Sequence, residues 1–193
     1  SVSDEGFLSV AELADKKNLK VQLHLHETSQ EIQDSLDQSG LRPFTRIENL
    51  GILNEKLQAI HLTQLNSDEI DKLAENKVHV GHCPESNMKL GSGICPISDL
   101  LAKNVNVAIG TDSSASNNDL DMLQEVRTAS FLSKAVTRDA TQISAEDCLE
   151  MITLNGAKFL GLEKKIGSIE VGKLADLTSI DMSSVSYTHL RAH

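Results

Sequence analysis

The order of strand-like and helix-like segments constrains the fold of this chain more than any other feature. Four short runs of alternating or continuous apolar residues are predicted to be β-strands. They span residues 21–27, 56–62, 78–83 and 105–112. Segments with apolar residues at helical spacing separate them, so the strands should run parallel and be joined by right-handed crossovers. The pattern predicts an α/β protein with a parallel sheet, either a barrel or an open doubly wound sheet.

The absence of phosphate-binding motifs favours the barrel. Neither G-x-G-x-x-G after the first strand nor a P-loop occurs in the sequence, and both motifs are typical of sheets that bind nucleotide phosphates. Two long amphipathic helices are predicted after the fourth strand, at 117–136 and 144–162. Residues 167–181 are predicted to form two short strands around a turn at Gly172. This last segment should belong to a different layer.

Composition and charge exclude several classes of partner. The chain has 193 residues and a formal net charge of −10, so its field repels phosphate backbones and anionic membrane surfaces. No apolar run approaches the roughly 18 residues that span a bilayer, and the first residues lack the basic and apolar regions of a signal peptide. We expect a cytoplasmic protein without nucleic-acid or membrane partners. Its three cysteines should be free thiols in a reducing compartment.

Histidines and carboxylates cluster at the carboxyl ends of the predicted strands. They are His24 with Glu27, His61, His82 and Asp112. In parallel α/β barrels this end carries the chemistry, because the loops that follow the strands converge there. Imidazole nitrogens and carboxylate oxygens suit Zn²⁺ or Fe²⁺ and leave a coordination position for water. The pattern predicts a metal-dependent hydrolytic site.

Two further histidines have alternative interpretations. His24 and His26 would share one face of a regular strand, so both could bind one ion, or only one of them could point usefully inward. His79 lies three residues before His82 and should occupy the opposite face. A structural or solvated role is the expectation for His79.

Three stretches of the sequence resemble the signatures of one enzyme family. They are HVGHCPESNMKLGSGICPI (79–97), IGTDSSASNNDLDMLQEVRTA (109–129) and NGAKFLGLEKKIGSIEVGKLADL (155–177). The chain resembles the amidohydrolase superfamily from about residue 17 to about residue 182, in the branch of 5′-methylthioadenosine and S-adenosylhomocysteine deaminases and their triazine-hydrolase-like relatives. The resemblance implies the C-terminal half of a (β/α)8 TIM-type barrel: its last four strands, followed by part of a β-sandwich.

The resemblance also implies roles for individual residues. His24 corresponds to a metal ligand, and Glu27 to a proton shuttle that contacts the substrate. His61 corresponds to the histidine that orients or polarises the hydrolytic water. Asp112 corresponds to an aspartate that binds the metal, contacts the substrate and takes a proton from the attacking water.

His82 receives a supporting role from the same resemblance. It would contribute to substrate binding by shaping the loop at 83–93, which should cover the substrate. His26 is not a ligand in this pattern. The implied domain boundaries are a half barrel at 1–165, a segment of a composite β-sandwich at 166–182 and a non-native or disordered tail at 183–193.

The implied activity is hydrolytic deamination of adenosine-type nucleosides with Zn²⁺, or Fe²⁺, as the cofactor. The alternatives are a chlorohydrolase or a guanine-type deaminase on the same scaffold, and a non-catalytic remnant. The family's first-strand H-x-H and fourth-strand histidine have no counterpart in this sequence, so the chain alone should be inactive. A half barrel also leaves sheet edges unpaired, which makes a homo-oligomer an expected state.

Overall fold

The sheet of this protein is a four-stranded parallel sheet in which the strands follow one another in chain order. The computed structural model describes residues 2–181. The strands are β1 (Val21–Leu25), β2 (Leu57–His61), β3 (His79–His82) and β4 (Asn106–Ile109), in the order β1-β2-β3-β4. The register aligns the strands so that their carboxyl ends lie at the same edge. The predicted α/β fold with four parallel strands is confirmed.

Nine helices accompany the sheet within residues 2–181. They are α1 (Asp4–Lys17), α2 (Ser29–Ser39), α3 (Pro43–Asn49), α4 (Ser67–Glu75), α5 (Pro84–Leu90), α6 (Ile97–Ala102), α7 (Met122–Thr137), α8 (Ala145–Ile152) and α9 (Leu154–Leu160). The sequence did not predict α3 and α5. Both have seven residues and a proline in the first turn, so they are too short for helical periodicity to reveal them.

Side-chain caps begin several helices where the sequence indicates them. The Thr28 hydroxyl accepts the Glu31 N–H at the start of α2, and Gly40 ends that helix in the left-handed conformation at φ 70°. Ser144 and Asp147 form a capping box at the start of α8. Local hydrogen bonding therefore sets these boundaries.

The capping box of α4 provides a test of this local contribution to stability. The Asn66 side chain accepts the Glu69 N–H at 2.9 Å, and Glu69 accepts the Asn66 N–H at 3.0 Å. We expect Asn66→Ala to lower the free energy of unfolding by about 1 kcal/mol, measured by urea denaturation. Asn49→Ala, at the exposed end of α3, is the control. Equal losses in the two variants would contradict the prediction.

The predicted helix at 144–162 is interrupted at Thr153. This residue has φ −125° and ψ −91°, which lies outside the helical region, and the chain changes direction between α8 and α9. The break lets α9 pack against β3 and β4. The Gln58 side chain of β2 also donates to the Phe159 carbonyl of α9. A contact between distant segments thus overrides the continuous helical pattern.

The two strands predicted within 167–181 do not form in the structure. This segment consists of turns, bends and irregular backbone, with no residue assigned to a strand. Ile169 is 89% exposed and Val171 is fully exposed, so their apolar side chains pack against nothing in the part of the chain that the structure describes. A strand requires a hydrogen-bonded neighbour, which these residues lack. The proposed tail at 183–193 lies outside the described residues.

The hydrophobic core lies mainly on one face of the sheet. Ala59, Val80 and Val107 are completely buried there and belong to the same cluster as Phe44 and Leu100 of the surrounding helices. A smaller cluster occupies the other face. It consists of Ile60, Cys83, Ala108 and Phe159. This second face would line the interior of a closed barrel.

Gly81 of β3 allows α9 to approach that inner face closely. A Cβ atom at this position would lie 2.7 Å from Ile60 Cδ1 and 3.3 Å from Phe159 Cε2. Both distances are shorter than ordinary van der Waals contacts, so only glycine fits without displacing its neighbours. The helix thereby covers part of the inner face through Phe159.

The outer strands are open on one side. Among the described residues, β1 pairs only with β2 and β4 only with β3. Such edges are surfaces for further pairing. Over the same residues no helix is long and apolar enough to cross a membrane.

Candidate active site

The predicted site residues lie together at the carboxyl edge of the sheet. His24 is the penultimate residue of β1, His61 the last of β2 and His82 the last of β3. Glu27 and Asp112 follow β1 and β4 by two and three residues. Parallel pairing of the strands is what brings these distant parts of the sequence to one edge.

Left-handed backbone conformations turn the chain at this edge. His26, His61 and Asp112 have φ angles of 53°, 76° and 59°. Residues other than glycine rarely adopt such angles, and each costs of order 1–3 kcal/mol. Other left-handed residues, such as Asn18, Lys77 and Arg138, lie elsewhere in the described chain, so these angles shape the edge but do not by themselves mark a site.

Three side chains converge closely enough to hold one metal ion. His24, Glu27 and His61 each offer a ligand atom within 4.8 Å of the others. His61 Nε2 lies 3.7 Å from Glu27 Oε2, and the ring of His24 meets the ring of His61 edge-on at 4.9 Å between centroids. His61 Nε2 is buried without a hydrogen-bond partner among the described residues. The imidazole of His24 and the carboxylate of Glu27 are donors that suit a zinc-type ion. His61 Nε2 could complete the set as an unprotonated ligand, or could donate to a water beside the ion when it carries the proton.

Asp112 lies at the same edge but outside this close cluster. Its Oδ2 accepts hydrogen bonds from the Ser86 hydroxyl at 2.7 Å and the Ser116 hydroxyl at 3.0 Å. Burial acts to raise the pKa of Asp112, but these hydroxyls and the nearby His61 outweigh burial, and the pKa lies below its ordinary value. The carboxylate is therefore ionised near neutral pH. That it shares an ion with His24 remains a prediction.

His61 is the central side chain of the arrangement. It is completely buried, and its Nδ1 lies 3.0 Å from the Asn87 side-chain nitrogen. Burial lowers the pKa of His61, although Glu27 and Asp112 act in the opposite direction. The neutral imidazole is thus favoured, with Nε2 directed toward Glu27.

His26 points away from the site. Of the two interpretations of the His24-x-His26 pair, the structure therefore favours the one in which only one imidazole points inward. The strand ends at Leu25, and the left-handed turn at His26 breaks the alternation that would have placed both imidazoles on one face. His26 Nε2 accepts the Phe44 N–H at 3.0 Å, and its Nδ1 lies 3.7 Å from Glu69 Oε2. Burial lowers its pKa to about 4. Only His24 faces the site, and His26 supports the turn.

His82 is buried at the end of β3. Burial lowers its pKa to about 3, with His61 contributing, so the ring is neutral. The segment after it, predicted as a covering loop at 83–93, contains helix α5. His82 remains a predicted supporting residue for substrate binding.

Sequence reasoning missed three residues of that segment. Ser86 bonds to Asp112, Asn87 to His61 and Ser92 to Glu27. A signal was present, because the polar residues of PESN follow directly after a strand that ends in histidine. Their partners could not be inferred, since all three contacts join segments far apart in sequence.

His79 lies away from the site, as predicted, at the beginning of β3. Its ring meets Phe159 edge-on at 6.4 Å, and burial, with help from Lys20, lowers its pKa to about 4. The unfolded chain therefore binds a proton near pH 6.5 that the folded protein binds only near pH 4.

This difference predicts acid sensitivity. The stabilising contribution of neutral His79 is complete above about pH 6.5 and is lost as the pH falls toward 4. We expect His79→Gln to flatten the decline of unfolding free energy over this range, measured by urea denaturation at several pH values. Parallel profiles for the two proteins would refute the assignment.

The fold and the site together define a segment of a parallel α/β barrel with side chains at its carboxyl edge that could hold a metal ion. Residues 1–192 match the model of the Amidohydrolase family. The chain belongs to the amidohydrolase family.

Relatives within this family share much of the sequence. A protein of Moorella thermoacetica named 5-methylthioadenosine/S-adenosylhomocysteine deaminase is 49% identical over 173 residues, which cover 90% of this chain and 40% of that protein. A protein of the same name from Saccharophagus degradans is 42% identical over 196 residues, with coverage of 100% and 44%. The chain therefore spans about two fifths of the length of these relatives.

Solved structures show the same architecture. An adenosine deaminase from Xanthomonas campestris with bound zinc is 51% identical, with a TM-score of 0.97 over 99% of this chain and 44% of that one. The guanine deaminase of E. coli is 30% identical, with a TM-score of 0.79 over 90% and 40%. The predicted partial TIM-type barrel is confirmed by these likenesses.

Proposed function

We propose that this chain is the C-terminal half of a metal-dependent hydrolytic deaminase that acts on adenosine-type nucleosides such as 5′-methylthioadenosine and S-adenosylhomocysteine. The observation that carries the proposal is the convergence of His24, Glu27 and His61 within 4.8 Å at the carboxyl edge of the sheet. Two relatives named as deaminases of these nucleosides, 42% and 49% identical, support the substrate class.

His24 and Asp112 are the residues of this chain that we propose to hold the ion, together with ligands from the rest of the barrel. Zinc is the favoured ion because the adenosine deaminase relative contains it, and Fe²⁺ is the alternative. A bound divalent ion would activate water at neutral pH and stabilise developing negative charge.

The side chains then have distinct tasks in moving protons. Ionised Asp112 can accept the proton of the attacking water. Glu27, half-buried and facing His61, can pass a proton to the ring nitrogen of the base and assist departure of ammonia. Neutral His61 can orient the water through Nε2. His82 supports the floor of the site, where the nucleoside would bind.

Other activities of the same scaffold are the alternatives. The likeness to the guanine deaminase of E. coli, which is 30% identical, supports a guanine-type substrate as one alternative. A triazine chlorohydrolase or a remnant without metal are the other two candidates. The remaining predictions, a cytoplasmic location, assembly into a homo-oligomer and the domain boundaries at 165 and 182, belong to this proposal.

The test is an ammonia-release assay on the longer protein that contains this chain. We expect release from 5′-methylthioadenosine or S-adenosylhomocysteine, and none from the 193-residue chain by itself. Ammonia release only from guanine, or chloride release only from a chlorotriazine, would overturn the proposed substrate. A protein that contains no zinc or iron and is equally stable after chelation would indicate the remnant.

A further inference from the structure

One short segment contacts three of the proposed functional side chains. Ser86 Oγ donates to Asp112 Oδ2 at 2.7 Å. The side-chain nitrogen of Asn87 lies 3.0 Å from His61 Nδ1, and Ser92 Oγ donates to Glu27 Oε1 at 3.3 Å. The segment 86–92, made of the last five residues of α5 and the two residues after it, therefore touches groups that come from three different strand ends.

At two of the three side chains, Glu27 and His61, the segment engages one heteroatom and leaves the other directed elsewhere. At Glu27 it binds Oε1, while Oε2 lies 3.7 Å from His61 Nε2. At His61 it binds Nδ1, while Nε2 is buried with no partner in the described part of the chain. The atoms left unengaged at Glu27 and His61 face each other.

The orientation of the Asn87 amide has a chemical consequence. When its nitrogen donates to Nδ1, neutral His61 must carry its proton on Nε2 and can donate it toward Glu27 or a water. In the opposite orientation the amide oxygen would accept from Nδ1–H, and Nε2 would be a bare acceptor. Asn87 is 1% exposed, so solvent does not supply a substitute partner.

Contacts on both sides hold segment 86–92 in place. The Glu85 N–H donates to buried Glu125 at 3.3 Å, and Thr128 Oγ1 donates to the Glu85 side chain at 2.8 Å. At the other end, the Ser92 carbonyl accepts from Gln64 Nε2 at 2.9 Å. A segment fixed by both neighbours can impose geometry on the groups it touches.

We propose that segment 86–92 is a positioning template that selects, through Ser86, Asn87 and Ser92, which atom of Asp112, His61 and Glu27 faces the substrate. The inference rests on the proposed function but specifies something further. Its sharpest element is that Asn87 fixes His61 as the Nε2–H tautomer.

Imidazole ¹⁵N NMR of the complete protein tests this element without relying on turnover. We expect His61 to have an unprotonated Nδ1, and Asn87→Asp to move the proton to Nδ1, because the carboxylate can only accept. Asn106→Asp, at the amino end of β4, is the matched control and should leave the His61 signals unchanged. A wild-type protein with Nδ1–H, or the same tautomer in Asn87→Asp, would overturn the proposal.

Single-oxygen deletions keep the proposal testable if Asn87→Asp does not fold. We expect Ser86→Ala to weaken zinc binding by about 10-fold in a chelator competition, as loss of a support for a ligand does, and Ser86→Thr to restore it. Ser130→Ala, a buried serine that bonds to the Ile143 carbonyl, is the control. Equal affinities in Ser86→Ala and the control would contradict the template.

A failed template and a failed function give different results. If the protein deaminates no nucleoside but its His61 tautomer depends on Asn87, the positioning template is supported and the proposed deaminase function is wrong. If deamination is normal but the His61 tautomer does not depend on Asn87, the proposed function is supported and the positioning template is wrong.

Discussion

Glu27→Gln should reduce the turnover number for 5′-methylthioadenosine by about 10²- to 10⁴-fold, the range that a general acid or base contributes. The amide keeps the size and much of the polarity of the carboxylate but cannot carry the proton between water, base and ammonia. The contact of Ser92 with Oε1 can persist with an amide oxygen, so the fold and the binding of substrate should change less. Steady-state kinetics on the complete protein provides the measurement.

An exposed carboxylate elsewhere serves as the control for that substitution. Glu75→Gln, at the end of α4 and away from the site, removes the same charge and should leave turnover unchanged. The zinc content of Glu27→Gln should also stay at the wild-type level, because we propose Glu27 as a proton carrier and not as a ligand. More than a tenth of wild-type turnover in Glu27→Gln would exclude the proposed role.

His24→Ala and Asp112→Asn should each remove the metal and with it the activity. Each substitution deletes a proposed ligand, so the affinity for zinc should fall by more than the ~10- to 100-fold that loss of an outer hydrogen bond costs. The measurement is the zinc content by elemental analysis after dialysis against a weak chelator. His79→Gln, which alters a histidine at the other end of the sheet, should keep its zinc.

The same experiment distinguishes two ligand sets. The structure brings His24, Glu27 and His61 within 4.8 Å of one another, whereas the family resemblance pairs His24 with Asp112. Retention of zinc in Asp112→Asn combined with its loss in Glu27→Gln and His61→Ala would assign the ion to the close cluster. Loss of zinc in Asp112→Asn together with retention of zinc in Glu27→Gln would support His24 and Asp112 as the ligands.

Several parts of the fold could be predicted because they depend on local rules. Strand β2 follows from a short apolar run, and the start of α4 follows from the cap at Asn66. Alternating strands and helices then imply parallel pairing, which places His24 and Asp112 at one edge without any knowledge of side-chain contacts. Local rules failed where distant segments compete, as at Thr153, where docking of α9 interrupts a continuous helical pattern.

The segment at 167–181 shows that a strand-like pattern alone does not produce a strand. Ile169 and Val171 have the alternation of a strand, but Ile169 remains 89% exposed and Val171 fully so. Alternation describes what a strand would bury and does not supply the neighbour with which it must pair. The prediction of β-structure at 167–181 therefore rested on strand propensity alone, and within residues 2–181 these residues do not form a strand.

The amino-acid sequence by itself determined the class of fold and the position of each candidate residue at a strand end, because period and spacing are properties of a single segment. Only the tertiary structure decided which atoms meet: that His26 turns away at φ 53°, that His61 Nε2 faces Glu27, and that segment 86–92 bonds to three separate strand ends. These contacts depend on backbone angles and on packing between residues far apart in the chain, and no local pattern encodes them.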